Sequence, residues 1–248
     1  MVVFITGASV GFGREIAKKF AKNGHKVIAL ARRKDKLESL RQEIKNCFIL
    51  PCDICDKTAL KNALESLPSE FREIDVLVNN AGLALGLESA HKCDFSDWEI
   101  MINTNITALA YLTRLVLPQM VERKRGHIIT IGSIAGKYPY PGGNVYGATK
   151  AFVRQFALNL RADLAGSGVR VSDIEPGLAE GSEFSLVRFN GNKQKVDELY
   201  KNANALKPED VAEAVFWVAT LPKHVNINTL EMMPTSQSFS ALNVWRDS

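Results

Sequence analysis

The feature that most constrains this 248-residue sequence is a set of closely spaced glycines between its first apolar run and its first helical pattern. The β-branched run Val2–Thr6 comes before them and an apolar helical face begins at Ile16 after them; the glycines are Gly7, Gly11 and Gly13. A side chain at such positions would obstruct a pyrophosphate or hold the helix away from the strand. The amides at the helix start add hydrogen-bond donors and the positive end of the helix dipole. The pattern therefore predicts a dinucleotide-binding turn at the start of an α/β domain.

Short β-branched runs alternate with helical patterns along the rest of the chain, which predicts a parallel sheet with helices on both faces. The predicted strands are Val2–Thr6, Lys26–Ala31, Cys47–Leu50, Val76–Asn79, His127–Ile131, Arg170–Ile174 and Thr229–Met232. The helical patterns lie near Phe12–Lys22, Lys36–Ile44, Lys57–Leu67, Ser96–Asn105, Ala108–Glu122, Ala148–Leu164 and Pro208–Thr220. We therefore expect residues 1–248 to form one α/β domain, a Rossmann-type doubly wound sheet of about seven strands.

Bulk properties argue against several classes of partner. A formal charge of +4 with scattered lysines and arginines is too small to indicate nucleic acid. The first strand enters the glycine turn directly, which leaves no room for a targeting peptide, and we expect no apolar run long enough to cross a membrane. Cys52 and Cys55 have a C-x-x-C spacing but no second pair and no nearby histidine. We therefore expect no metal site, reduced thiols and a cytoplasmic location.

Two segments lack a regular pattern. Residues from Gly177 to about Ala205 are rich in Gly, Asn and Ser and follow the end of a predicted strand, where open α/β sheets bind ligands. We expect this stretch, residues 177–205, to be an irregular substrate lid. The tail, about residues 234–248, carries Phe239, Leu242 and Trp245 without periodicity. A frayed end and an arm on a neighbouring subunit are both open, and we favour the arm because large apolar groups rarely stay exposed together.

The end of the second strand indicates which dinucleotide the turn accepts. An NAD-binding chain places an acid there for the ribose hydroxyls, whereas this chain has Ala31 followed by Arg32 and Arg33. Two guanidinium groups can hold a 2′-phosphate through charge-assisted bonds, and Ser9 in the glycine turn can donate another. Alternatively, the arginines only begin a solvated helix. Because the acid is absent and the bases are present together, the sequence favours NADP.

Further cofactor contacts are predicted at the ends of the third and fourth strands. Asp53 can accept a hydrogen bond from the adenine amino group while Ile54 packs on the ring, although a turn or helix-cap aspartate is an equal alternative. Asn80 can hold the adenosine side of the cofactor or tie two loops together. Phe12, inside the glycine turn, completes this predicted set.

Tyr146 and Lys150 are four residues apart, which places a phenol and an ammonium group on one face of a helix. Oxidation of an alcohol requires a base, and a free tyrosine with a pKa of about 10 is a poor base at neutral pH. A nearby cation lowers such a pKa by about one to three units, so we expect Lys150 to activate Tyr146. Ser133 follows the fifth predicted strand and can bind the substrate oxygen, unless it is only a turn serine.

The order of these motifs resembles that of the short-chain dehydrogenase/reductase family. The matching segments cover nearly the whole chain and are Thr6-Gly-x-x-x-Gly11-x-Gly13, Asn79-Asn-Ala-Gly82, Asn105, Ser133, Tyr146-x-x-x-Lys150 and Pro176-Gly177. The resemblance implies a homotetramer and a catalytic set composed of Asn105, Ser133, Tyr146 and Lys150. In that set Asn105 holds a water that links Lys150 to solvent.

The same resemblance implies backbone contacts to the nicotinamide carboxamide from Pro176, Gly177 and Leu178. Many relatives have a threonine shortly after the Pro-Gly pair, whereas this chain has Glu180 and then Ser182. Ser182 is therefore expected to take the place of that threonine.

Three stretches are similar to the NADP-dependent 3-hydroxy acid dehydrogenases, namely Arg32-Arg33, Asn144–Phe156 and Asn226–Pro234. That group acts on serine-like and 3-hydroxypropionate-like acids and reduces malonic semialdehyde. Because these substrates carry a carboxylate, we expect Arg188 in the lid to bind it as a bidentate clamp. Arg154, one turn beyond Lys150, is expected at a subunit contact.

Two other functions stay open at this point. A ketone or 3-oxoacyl reductase would use the same catalytic set with an apolar groove, for which the lid offers Phe184, Leu186, Val187 and Phe189. A cofactor-sensing module would keep NADP binding and lose turnover, but the intact catalytic set argues against it.

Overall fold

The computed structural model of the chain describes residues 1–239 and contains a parallel sheet in the strand order β3-β2-β1-β4-β5-β6-β7. The strands are β1 (Val2–Thr6), β2 (Lys26–Ala31), β3 (Cys47–Pro51), β4 (Val76–Asn79), β5 (Gly126–Ile131), β6 (Val169–Pro176) and β7 (Thr229–Met232). Each of the predicted strands is present, with ends that differ from the prediction by two residues at most. The predicted doubly wound α/β class is confirmed.

Helices cover both faces of the sheet. They are α1 (Gly11–Lys22), α2 (Lys34–Glu43), α3 (Lys57–Glu65), α4 (Ser69–Arg72), α5 (Phe95–Ile102), α6 (Leu109–Glu122), α7 (Asn144–Asp163), α8 (Phe184–Arg188), α9 (Lys193–Tyr200) and α10 (Pro208–Thr220). Alternate residues of a strand point to opposite faces, so Phe4 packs with α3, α6 and α7, whereas Ile5 packs with α1, α2 and α10. Two apolar layers therefore hold the strand ends in fixed positions.

The strand order places a crevice between β1 and β4. The connections that leave these two neighbouring strands run to opposite sides of the sheet, and open α/β sheets bind ligands at such a reversal. The Thr6 hydroxyl at the end of β1 accepts hydrogen bonds from the amides of Asn80 and Ala81 after β4, at 3.0 and 2.9 Å. The two strand ends are thus tied together at the mouth of the crevice.

The helices α5 and α6 are joined, whereas the sequence predicted a break between them. A π-helical turn at Asn103–Ala108 carries the backbone from one into the other. The polar run Asn103-Thr-Asn-Ile-Thr107 disfavours a regular helix and therefore looks like a helix end in the sequence. Such π turns are frequent at functional sites, and this one contains Asn105.

The joined helix Phe95–Glu122 has 28 residues, many of them apolar. By length and composition alone it could cross a membrane, so the expectation that no apolar run is long enough is wrong. Leu112, Val116 and Met120 on this helix are fully buried in the layer against the sheet. A core helix passes the same test of length and composition.

The lid is more regular than the sequence predicted. It contains α8 and α9, and Asn192 caps α9 by accepting a hydrogen bond from the amide of Lys195. Helices of five and eight residues are too short to give a clear periodic pattern between glycines and asparagines. The predicted arm lies mostly outside the described residues, including Leu242 and Trp245. Within them, the Phe239 ring lies 4.9 Å from the Tyr138 ring, measured between centroids.

Candidate active site

A cleft of about 1610 Å³ runs along the carboxyl ends of the strands from the glycine turn to the lid. Most of the residues predicted for the cofactor, the substrate and the chemistry line this cleft. Gly13 and Asn105 do not line it and lie behind its wall. Since the sequence-predicted residues come from many separate elements, the fold brings together groups that are far apart in the chain.

The glycine turn is shaped by close backbone approach. Gly7 has φ +67° and Gly11 has φ +54°, conformations that residues with a Cβ rarely adopt. A Cβ on Gly13 would overlap the carbonyl oxygen of Gly7 and lie 2.6 Å from Asn80 Nδ2. Gly13 therefore permits packing of α1 against the turn and does not itself face the cleft. Asn80 also ties the turn, because its Nδ2 donates to the Thr6 carbonyl at 2.8 Å.

At one end of the cleft, Arg33 stands beside the glycine turn. Its Nη2 donates to Ser9 Oγ at 3.3 Å, and its Nη1 lies 2.8 Å from Glu183 Oε2 in the lid. Arg32 lines the cleft next to it. Ser9 thus accepts a bond from the arginine here, whereas the sequence analysis expected it to be a donor to phosphate. These groups form a cationic end suited to a phosphate.

Asp53 and Ile54 line the adjoining wall. The Asp53 carboxylate accepts a hydrogen bond from the amide of Cys55 at 2.9 Å, which is the turn role left open by the sequence. Ile54 is almost fully buried in the apolar layer.

All four cysteines are free thiols, and residues 1–239 contain no cluster of three or more acids, histidines or cysteines able to hold a metal ion.

Helix α7 begins at Asn144 and carries both Tyr146 and Lys150 in its first turns. The Lys150 Nζ lies 5.9 Å from the centre of the Tyr146 ring and donates to the carbonyl of Ile131 at 2.7 Å. The Ser133 hydroxyl follows β5, accepts a bond from the amide of Ala135 at 3.1 Å, and interacts with the Tyr146 phenol. A phenol, a hydroxyl and a buried ammonium therefore meet at the ends of β5 and α7.

The ionisation of this group differs from the sequence expectation. Burial raises the pKa of Tyr146 to about 12, and the interaction with Ser133 only partly opposes it. Burial also lowers the pKa of Lys150 to about 8, while the charge of Asp173 raises it. In the protein chain alone the pKa of Tyr146 is thus not lowered as the sequence analysis expected, because burial outweighs the lowering by Ser133 and by the charge of Arg188. The phenol holds its proton at neutral pH.

Asn105 lies behind Lys150 and is almost fully buried. Its Oδ1 accepts a hydrogen bond from the amide of Leu83 at 2.9 Å, and its Nδ2 donates to Leu83 O and Thr149 Oγ1 at 2.9 and 3.0 Å. A Cβ on Gly82 would lie 3.2 Å from Asn105 Oδ1 and 3.6 Å from Lys150 Nζ. The bare glycine backbone thus separates the asparagine from the lysine.

The segment after β6 forms the far wall of the cleft with Pro176, Gly177 and Leu178. The Leu178 amide, a predicted nicotinamide contact, donates to Gln237 Oε1 at 2.7 Å. Ser182 packs against the glycine turn, where a Cβ on Gly11 would lie 2.7 Å from the Ser182 Cβ. The lid therefore rests directly on the turn.

Arg188 lies over Tyr146. Its guanidinium carbon is 5.4 Å from the ring centres of both Tyr140 and Tyr146. Its Nη2 donates to the Tyr140 hydroxyl at 2.7 Å and its Nε to the Gly86 carbonyl at 3.3 Å. These contacts fix a cation beside the phenol. Arg154, which the sequence analysis expected at a subunit contact, has its Nε 3.1 Å from the buried Glu175 carboxylate.

Several residues of this region were missed by sequence reasoning: Tyr140, Asp173, Glu175, Glu183 and Gln237. Tyr140, Glu183 and Gln237 meet the site only through long-range packing, for which the sequence carries no local signal. Asp173 and Glu175 do leave a signal, since two acids stand at alternate positions of a strand of the buried sheet.

The donor set fits a nicotinamide dinucleotide. The glycine turn forms a cradle that a Cβ would fill, a cationic end suits a phosphate, and the phenol lies at the opposite end. Fold and site together define a dinucleotide-binding oxidoreductase of the doubly wound α/β type.

Comparison with known proteins defines the class further. Residues 1–188 match the family model described as short chain dehydrogenase, and the chain belongs to this family. It is 61% identical over 247 residues to the NADP-dependent 3-hydroxy acid dehydrogenase YdfG of Salmonella typhi, covering 99% of this chain and 100% of that protein. It is 51% identical to the serine 3-dehydrogenase of Rhizobium radiobacter, covering 99% of this chain and 98% of that protein.

Solved structures agree with this assignment. The closed form of serine dehydrogenase complexed with NADP+ superposes with a TM-score of 0.98 at 60% identity, over 100% of both chains. Serine dehydrogenase from Escherichia coli superposes with a TM-score of 0.86 at 56% identity, over 96% of this chain and 100% of that one. The family resemblance found in the sequence is confirmed.

Proposed function

We propose that this chain is an NADP-dependent dehydrogenase that interconverts short 3-hydroxy acids, such as serine and 3-hydroxypropionate, with their 3-oxo acids or semialdehydes. The observation that carries the proposal is the Arg188 guanidinium fixed 5.4 Å from the centre of the Tyr146 ring. A cation at this distance from the phenol suits a substrate whose carboxylate lies two carbons from its reacting hydroxyl. Relatives with more than half of their residues identical carry the names 3-hydroxy acid dehydrogenase and serine 3-dehydrogenase, which supports the same substrate class.

Arg188 binds the substrate carboxylate in this proposal. Two of its five N–H donors are engaged by Tyr140 and Gly86, and the others remain for a carboxylate. A planar guanidinium forms two parallel bonds to a carboxylate, which fixes the orientation of a short acid. The hydroxyl at the other end of the acid then reaches Ser133 and Tyr146.

Proton transfer is assigned to Tyr146. When bound, a nicotinamide dinucleotide supplies or accepts the hydride. Because the buried phenol keeps its proton at neutral pH, it is ready to protonate the alkoxide formed in the reducing direction. Ser133 hydrogen-bonds the same oxygen and stabilises its developing charge. In the oxidising direction the phenolate form of Tyr146, which the Lys150 ammonium stabilises, takes the hydroxyl proton and becomes the phenol.

Proton return uses the groups behind Tyr146. We assign Asn105 to hold a water beside Lys150, because Asn105 Oδ1 and Lys150 Nζ both face the bare backbone of Gly82.

We assign Arg32, Arg33 and Ser9 to the 2′-phosphate of NADP, since they form the cationic end of the cleft. The glycine turn, with Phe12 and Asn80 beside it, is assigned to the pyrophosphate. Asp53 and Ile54 are assigned to the adenine, and the segment Pro176–Leu178 with Ser182 to the nicotinamide side.

A 3-oxoacyl or ketone reductase is the second candidate. Phe184, Val187 and Phe189 line the lid side of the cleft, and Val187 is exposed, which offers an apolar surface to a longer substrate. The fixed cation beside the phenol favours the short acid, because an acyl thioester has no carboxylate at that place. A cofactor-sensing module is disfavoured by the complete catalytic group.

We further propose a homotetramer in the cytoplasm. Exposed apolar side chains lie on α5 and α7 and are Phe95, Ile100, Ile102 and Phe152. The Phe152 ring stacks on Phe156 with centroids 5.5 Å apart, which gives the exposed face of α7 a flat apolar surface. Surfaces of this kind mark subunit contacts. The free thiols fit a reducing compartment.

Arg188→Ala is expected to raise KM for 3-hydroxypropionate roughly 30-fold, since charge-assisted bonds contribute about 2 kcal/mol. The KM for a short neutral alcohol should change by less than about threefold, because it has no carboxylate to lose. Arg188→Lys is the matched control, because it keeps the positive charge but cannot form two parallel bonds to a carboxylate. Its KM for 3-hydroxypropionate should lie between those of wild type and Arg188→Ala. Steady-state kinetics with both substrates measure the effect. An equal loss for both would remove the carboxylate role.

A further inference from the structure

Two cations on α7 face two acids on β6. Lys150 and Arg154 are one helical turn apart, and Asp173 and Glu175 occupy alternate positions of the strand, so both acids point to the α7 side. Asp173 is fully buried and Glu175 is 1% exposed. Charged side chains this deeply buried occur almost only in pairs. The catalytic lysine is therefore part of a buried network that the mechanism above does not use.

Asp173 lies directly under the turn that holds the catalytic group. A Cβ on Gly132 would lie 2.6 Å from Asp173 Oδ2, so the carboxylate touches the backbone of this residue. Gly132 stands between Ile131, whose carbonyl accepts the Lys150 bond, and Ser133. The hydroxyl of Thr130 donates to Asp173 Oδ1 at 2.6 Å, while Oδ2 has no hydrogen-bond partner among the described residues.

Glu175 extends the network away from the cleft. It meets Arg154, and in the sheet it is in register with Glu231 on β7. Glu231 lies 2.9 Å from Lys137 Nζ and accepts a hydrogen bond from the Tyr138 hydroxyl. Glu175 is thus paired with Arg154, and Lys150 is the cation that remains for Asp173.

We propose that Asp173 is a positioning residue for the reaction: its buried negative charge keeps Lys150 in the ammonium form. The charge of Asp173 raises the pKa of Lys150, and the charge of Lys150 lowers the pKa of Asp173, which supports the pairing. Burial has the opposite effect on both groups and brings these pKa values to about 8 and about 6. The catalytic lysine therefore needs a counter-charge to stay ionised.

Other ionisable groups face this network from every packed element. They are Tyr146 and Arg154 on α7, Glu175 on β6, Glu231 on β7, Lys137 and Tyr138 before α7, and Arg188 with Tyr140 over the phenol. Arg188 and Arg154 add positive charge, which makes the lysine harder to protonate. Asp173 is the acid whose charge raises the pKa of Lys150.

The first test compares Asp173→Asn with Glu175→Gln, and it rests on the proposed function because it measures turnover. In Asp173→Asn the alkaline limb of kcat/KM for hydroxy acid oxidation should move to lower pH by about one unit, since one nearby opposite charge contributes about that much. Glu175→Gln makes the same kind of change two residues further along β6, at the acid that meets Arg154, and should leave that limb in place. A purely structural role would lower the rate by the same factor at every pH, and that result would overturn the proposal.

The second test needs no turnover and keeps Asp173 intact. Lys150→Met leaves the Asp173 carboxylate buried without its cation, so its folded pKa, which already lies above the unfolded value of about 3.9, rises further. A group with a raised folded pKa contributes stability at low pH and loses it as pH rises through that pKa. The unfolding free energy of Lys150→Met should therefore fall further below wild type at about pH 8 than at about pH 5.

Adding Asp173→Asn to Lys150→Met should remove this pH dependence, as measured by chemical denaturation. If the unfolding free energy of Lys150→Met lay equally far below wild type at both pH values, the pairing of Asp173 with Lys150 would be overturned, whatever substrate the protein accepts. A protein that turns over no hydroxy acid but shows the predicted pH dependence would refute the proposed function and leave the pairing supported.

Discussion

Replacing Tyr146 with phenylalanine is expected to lower kcat for 3-hydroxy acid oxidation by about 10³-fold, the usual contribution of a positioned acid or base. The substitution removes one oxygen and leaves the ring in its contact with Phe184, whose centroid is 5.7 Å away. The Kd for NADPH, measured by fluorescence titration, should stay within about twofold of wild type, because the glycine turn and Arg33 are untouched. The loss should therefore fall on chemistry and leave binding intact.

Tyr111→Phe is the matched control for this variant. It removes the same atom from a tyrosine on α6 whose hydroxyl reaches only the Lys57 carbonyl at 3.5 Å, away from the cleft. Its kcat should equal that of wild type. If Tyr146→Phe also turned over at nearly the wild-type rate, the phenol would have no part in proton transfer.

Arg33→Ala is expected to weaken NADPH binding roughly 30-fold, because charge-assisted bonds to a phosphate contribute about 2 kcal/mol. NADH binding should change by less than about threefold, since NADH has no 2′-phosphate for the arginine to hold. The variant also leaves the Glu183 carboxylate without the guanidinium 2.8 Å away, which adds repulsion against a phosphate. Arg32→Ala should have the same direction and a smaller effect, because Arg32 lacks this acidic neighbour among the described contacts.

Lys34→Ala controls for a general change in surface charge. Lys34 follows Arg33 directly, is exposed, and meets only Glu38 at 3.8 Å, one turn along α2. Its removal should leave both affinities unchanged. Fluorescence titration of the two reduced nicotinamides against each variant gives the comparison. An equal loss for NADPH and NADH in Arg33→Ala would mean that the arginine does not recognise the 2′-phosphate.

The sequence was most informative where one residue type has one structural use. β-Branched runs predicted the strands, because a strand buried on both faces must be apolar throughout. The i, i+4 spacing placed Tyr146 and Lys150 on one helix, and the glycine turn predicted close packing of α1 on β1. These are local relations, so they needed no knowledge of the rest of the chain.

Other features depend on contacts that no local pattern encodes. The sequence analysis expected a lowered pKa for Tyr146, whereas burial raises it, and burial is a property of the whole fold. The pairing of Arg33 with Glu183 joins residues 150 positions apart in the chain, and Arg188 needs Tyr140 from another loop. The π turn around Asn105 arises where polar residues sit in a helix that packing elsewhere keeps continuous.

The most direct test of the proposed activity is the initial rate of reduced-nicotinamide absorbance change with the wild-type chain. The substrates are L-serine, 3-hydroxypropionate, malonic semialdehyde and a 3-oxoacyl thioester, each with both nicotinamide cofactors. We expect turnover of the short acids and the semialdehyde, with kcat/KM at least about tenfold higher for the phosphorylated cofactor. Turnover of the thioester alone, or no absorbance change with any short acid, would contradict the proposed function.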